Sequence, residues 1–138
     1  MHVQNQTSTV ETAFEAKYSP DHGVIVVQIK DTFRNLSVKD YSLRIVQLAR
    51  ENGCKNILLD ARGKKLGLST VEIYQLPSIL NHYGVDRSFR HAILADPNQQ
   101  EYVFFETVAF NRSYQVKVFH DQILALNWLG NQKRGFIL

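Results

Sequence analysis

The chain has 138 residues, 44% of them hydrophobic and 21% charged, which suits one globular domain and excludes a disordered, collagenous or coiled-coil chain. Sixteen Lys plus Arg against thirteen Asp plus Glu leave a net charge of +3, too weak a balance to imply nucleic acid as a partner. The single cysteine, Cys54, excludes an intramolecular disulfide and a cysteine-rich zinc site, and its place beside an apolar run reads as a small buried hydrophobe.

No stretch approaches the roughly 18 consecutive apolar residues of a membrane span. The opening MHVQNQTSTV has neither the basic start nor the apolar core of a secretory signal, so a cytoplasmic location is expected. The organisation reads as a polar lead (1–11), a single domain (12–130) and a short tail (131–138) ending in Phe136-Ile137-Leu138.

From Thr12 to Tyr18, Phe14, Ala16 and Tyr18 alternate with Glu15 and Lys17, the pattern of a half-buried strand. Ser19-Pro20-Asp21-His22-Gly23 is turn chemistry, and the β-branched run Val24 to Ile29 is a second strand closing an antiparallel hairpin. The period then changes. Ser37 or Asn35 can cap a helix carrying Val38, Tyr41, Ile45, Leu48 and Ala49 on one face, with Gly53 ending it.

Asn56 to Asp60 is a short apolar strand of the kind covered on both faces. A glycine- and lysine-rich loop follows, and then Ser69 and Glu72 form a Ser-x-x-Glu capping box opening a second helix. Pro77 lies inside that helix and predicts a kink there or a split in two. His91 to Ala95 is a fourth strand. A third helix to about Asn111, with Phe105, Val108 and Ala109 on one face, can start in two registers: Asp96 as cap with Pro97 at the first position, or Asn98 with Glu101 as a box. Gln115 to Phe119 is the last strand, and Asp121 caps a final helix holding Leu124, Ala125, Trp128 and Leu129.

This order predicts an α/β fold: a mixed, mostly parallel five-stranded sheet started by a β-hairpin, with four helices mainly on one face. Alternation in the first and last strands predicts one partly wet sheet face. Val24, Val26 and Ile93 on an incompletely shielded face predict a homodimer.

The five histidines, at positions 2, 22, 82, 91 and 120, never fall at metal-ligand spacing and read as surface or edge residues. No nucleophile elbow, Walker loop or dinucleotide fingerprint occurs, and no cofactor, metal or catalytic residue is assigned. Asp60 and Asp96 each follow a parallel strand, at the edge where α/β folds bind ligands. The most informative segment is 62–70. Gly63 and Gly67 permit tight turns, Arg62, Lys64 and Lys65 supply positive charge, and the second helix begins beside them, a combination that suits an anion or an acidic partner.

FFETVAFNRSYQVKVFHDQILALNWL (104–129) resembles the C-terminal half of the SpoIIAA-like, STAS-related bacterial domains, in its helix, Val-x-Val-Phe strand, acidic cap and closing Ala-Leu-x-Trp-Leu. GCKNILLDARG (53–63) and STVEIYQLP (69–77) resemble the middle of the same family. The resemblance implies a hairpin-started α/β domain and a non-enzymatic role in binding proteins or small ligands. In the anti-sigma-factor antagonists of this family, a serine at the start of the helix after the third strand is phosphorylated to switch partner binding. Ser69 falls nearest that place, with Thr70 beside it, although Gly-Leu-Ser-Thr-Val-Glu stands where the family has Asp-Ser-Ser-Gly. Ser113 follows the Asn-Arg pair where relatives often have glycine.

The first functional expectation is therefore a regulatory or protein-interaction module working through the 62–70 edge. The alternative is a carrier or sensor of a small apolar or anionic ligand beside the second helix, and an enzyme is the third choice.

Overall fold

A computed structural model describes residues 13–134; the polar lead and the Phe136-Ile137-Leu138 end lie outside the described residues. Strands β1 (Phe14–Ser19) and β2 (Val24–Ile29) form the hairpin, closed by a bond from the Gly23 N–H to the Ser19 carbonyl at 2.8 Å. Strands β3 (Asn56–Asp60), β4 (Arg90–Leu94) and β5 (Gln115–Phe119) add in parallel, giving one mixed sheet ordered β1-β2-β3-β4-β5. A chain stepping always to the next strand with right-handed crossovers keeps its connecting helices on one face. Helices α1 (Val38–Asn52), α2 (Thr70–His82) and α3 (Gln100–Asn111) accordingly share a core with one face of the sheet. Helix α4 (Gln122–Arg134) has no further strand to reach and folds back over the other face, against β3, β4 and β5.

The period-two alternation of each strand sorts its side chains between these layers. Ile25, Val27, Ile57, Leu59 and Ile93 join the three-helix core, whereas Val24, Leu58, Ala92 and Leu94 meet Ala125 and Leu129 of α4. Beyond α4, Glu15, Lys17 and Gln28 are exposed, so the second face is partly wet as expected. The three residues behind the expected homodimer do not form one exposed patch: Val24 and Ile93 are 2% and 1% exposed and lie on opposite faces, each covered by helices, and Val26 is partly buried on the Val24 side.

Local signals explain most of the boundaries. Ser37, not Asn35, caps α1, its hydroxyl accepting from the Asp40 N–H at 3.1 Å, and Gly53 ends the helix at φ 59°. Pro77 is buried within α2, which runs unbroken to His82 instead of splitting. Leu124 is exposed on α4, while Ala125 and Leu129 are buried, as is Cys54. Neither expected cap of α3 forms. The helix opens at Gln100, after Gln99, which makes no side-chain cap. The Asp96 and Glu101 carboxylates are instead drawn across to the loop after β3.

Candidate functional site

The loop 61–69 crosses the carboxyl ends of β3 and β4 and is tied down along its length. At its start the Ala61 N–H donates to the Leu94 carbonyl at 2.9 Å, extending the sheet ladder. Asp60 receives the Arg62 guanidinium through two bonds, Nε to Oδ1 at 3.0 Å and Nη2 to Oδ2 at 2.9 Å. Desolvation would raise the Asp60 pKa, but the hydrogen bonds and charge of Arg62 outweigh it and hold the carboxyl below its ordinary value. Asp96 accepts from the Gly63 N–H at 2.8 Å. The two carboxylates of the expected ligand edge thus do sit on neighbouring strand ends, and both fasten this loop.

Next, the Lys64 carbonyl accepts from Gln99 Nε2 and from the Tyr102 hydroxyl, each at 2.8 Å. Burial, with the Glu101 charge, pushes the Tyr102 hydroxyl above its ordinary pKa, so it stays a donor. The Leu66 side chain plugs into the core and its N–H reaches Glu101 Oε2 at 3.3 Å. The Lys65 carbonyl accepts from the Phe33 N–H at 2.9 Å. Gly67 stands at φ 69°, where a Cβ would meet the Cβ of Arg34 at 3.1 Å, so both its backbone and its neighbour require glycine. Arg34 Nη1 bridges the Gly67 carbonyl at 3.0 Å and Glu72 Oε1 at 3.2 Å.

The capping box of α2 is complete. The Ser69 hydroxyl accepts from the Glu72 N–H at 3.2 Å, and the Ser69 N–H donates to Glu72 Oε1 at 2.8 Å. Bonding to Ser69, then the Arg34 charge, holds the Glu72 carboxyl below its ordinary pKa. Of the first-turn donors, this leaves the N–H groups of Thr70 and Val71 outside the intrahelical ladder. Arg62, Lys65, Ser69 and Thr70 are exposed and Lys64 is partly exposed. Neither lysine forms an ion pair among the described residues. Every site residue expected from the sequence therefore lies in or against one fixed loop. Sequence reasoning missed Arg34, Gln99 and Tyr102, which hold it from 33 to 38 positions away and carry no local signal.

His91 requires a correction. It is 7% exposed on the central strand β4, stacked near Tyr41, whose hydroxyl lies 3.2 Å from its Nε2. Its surface reading fails because β4 is covered on both faces. Burial lowers its pKa to about 4. His22, His82 and His120 are exposed, and His2 lies outside the described residues.

Comparison of the chain with protein-family models, with curated proteins and with solved structures finds no match. No helix among the described residues is long and apolar enough to cross a membrane.

Proposed function

We propose that this α/β domain is a non-enzymatic, STAS-like regulatory or protein-interaction module of the cytoplasm, working through the 62–70 loop and the start of α2. The observation that carries this reading is the surface immediately after Ser69 and Thr70. Val71 and Tyr74, one helical step apart, are 64% and 55% exposed, and a fixed basic loop borders them. Exposed apolar side chains grouped beside a rigid polar rim are what a partner protein covers. The rigidity matters, because a surface already ordered loses little entropy when it binds.

Ser69 is the candidate switch, with Thr70 beside it. A phosphoryl group on the Ser69 hydroxyl would break the capping box while adding charge at the positive end of α2. Glu72 would repel it, and Arg34, Lys64 and Lys65 would attract it, so the modification would redistribute the charges of this corner. Free anions would use the same lysines and the Thr70 and Val71 N–H groups.

Titration with inorganic phosphate and sulfate tests the anion side of the reading. Weak saturable binding to the wild type is expected, lost in the Lys64→Ala/Lys65→Ala variant with the melting temperature nearly unchanged, because exposed charges contribute little to stability. Identical isotherms for the two proteins would overturn it. A second reading, a carrier or sensor of a small ligand beside α2, has one observation in its favour. A cleft of about 490 Å³ lies between Tyr74, Ile79, His82 and Arg112, with the Arg112 guanidinium 4.3 Å from the Tyr74 ring centroid.

A further inference from the structure

The outward side of α2 carries two neighbouring ridges at a spacing of four residues. Tyr74, Ser78 and His82 form one, and Val71, Ile79 and the following Tyr83 lie on the other. The cleft of about 490 Å³ is lined from both ridges, so it is the furrow between them. Tyr74, Ser78, Ile79 and His82 are all exposed, which leaves the furrow shallow. A small-molecule site encloses most of its ligand, and this one would not. A furrow between two such ridges is the shape that a ridge of a second helix fills.

One charge is fixed at this furrow. Arg112, directly after α3, reaches across to α2 and stacks on the Tyr74 ring, 4.3 Å from its centroid. Its backbone is also held: the Arg112 carbonyl accepts from Arg87 Nε at 2.9 Å, and the Arg87 guanidinium lies 4.2 Å from the Tyr114 ring centroid. The Arg112 guanidinium forms no ion pair among the described residues, and no carboxylate lines the furrow. Glu72, the one acidic residue of α2, is already engaged by Ser69 and Arg34. A guanidinium stacked by its face keeps the donors at its edge for a carboxylate.

We propose that the partner covering this surface presents an acidic amphipathic helix, its apolar ridge laid in the furrow from Val71 to Tyr83 and a carboxylate on its flank bound by Arg112. This rests on the partner-docking reading above and names the chemistry of that partner. From Val71 to Tyr83 a helix advances about 18 Å, so three to four turns of partner helix span the furrow. Such a helix carries apolar anchors at three- and four-residue spacing, with Asp or Glu beside them.

The test displays a library of amphipathic peptides of about four turns, with a fixed leucine ridge and flanks randomised among Glu, Gln and Lys. Peptides are selected on the full chain, and those that bind Val71→Ser/Tyr74→Ser equally well are discarded. The survivors should carry Glu on the flank. As synthetic peptides they should bind Arg112→Gln at least about fivefold more weakly than wild type. Lys117→Gln, which removes an exposed cation of β5, controls for net charge and should change the affinity less than about twofold. Survivors rich in Gln or Lys, an unaltered affinity for Arg112→Gln, or an equal loss in Lys117→Gln would overturn the acidic helix. Docking through α2 would then still stand, because every survivor depends on Val71 and Tyr74. A selection with no survivors would overturn the helix as occupant, and docking through α2 would be judged by whole partner proteins on the same Val71→Ser/Tyr74→Ser variant.

Discussion

His91 is a titratable group built into an apolar interior. Phe14 and Phe33 pack edge-on against Tyr41, with ring centroids 5.7 and 6.2 Å away, and Tyr41 in turn meets the imidazole. The hydrogen bond between them satisfies one ring nitrogen, the phenol donating to an unprotonated Nε2 or accepting from a protonated one. Burial lowers the folded-state pKa to about 4 from the ordinary 6.5, so between these values the unfolded chain binds more protons than the folded one. Stability from this group is therefore complete above about pH 6.5 and is lost as pH falls toward 4, a change of about 3 kcal/mol over the window. Urea denaturation at pH 7 and pH 4.5 should show this loss in the wild type and little of it in His91→Leu. Equal losses in both would place the acid sensitivity elsewhere. Nothing in the spacing of the five histidines marks this one, because a strand covered on both faces has no polar side to betray its orientation.

At the level of elements, caps that use neighbouring residues were legible and those that depend on distant ones were not. Ser37, Gly53, Ser69 with Glu72, and Asp121 act within a few positions of themselves, and each does what its position implies. The start of α3 was misread because Asp96 and Glu101 bond to Gly63 and Leu66, more than thirty residues upstream. The end of the same helix carries a testable strain. Ser113 has φ 70°, the single positive value outside glycine among the described residues, and it follows the helix in the left-handed position that glycine favours. Its side chain is exposed, so Ser113→Gly removes the Cβ penalty without opening a cavity. Thermal melts should show stabilisation by about 0.5–1 kcal/mol, set against the greater freedom glycine gives the unfolded chain. An unchanged or lower midpoint would mean that this strain is negligible.

For the whole molecule, strand order and the placement of the first three helices follow from the alternation of periods, which is why the α/β architecture and its three-helix layer on one face could be read from the residues. The position of α4 follows only from its place after the last strand, and it buries the face that would otherwise have invited a second copy. The loop 61–69 was legible as a basic, glycine-punctuated segment, but its rigidity was not, since that depends on Arg34, Gln99 and Tyr102 converging in space. The fold thus spends long-range contacts on fixing one edge beside an exposed stretch of α2, and partner binding through that stretch is the central claim. The most direct measurement compares immobilised wild type with a Val71→Ser/Tyr74→Ser variant as baits, after circular dichroism shows equal folding. Both side chains are largely exposed, so their loss should cost no more than about 1 kcal/mol of stability, most of it from the Arg112 guanidinium stacked on the Tyr74 ring. A partner retained by the wild type should bind the variant at least about tenfold more weakly in a subsequent titration. The same proteins retained with the same affinity by both baits would contradict the account.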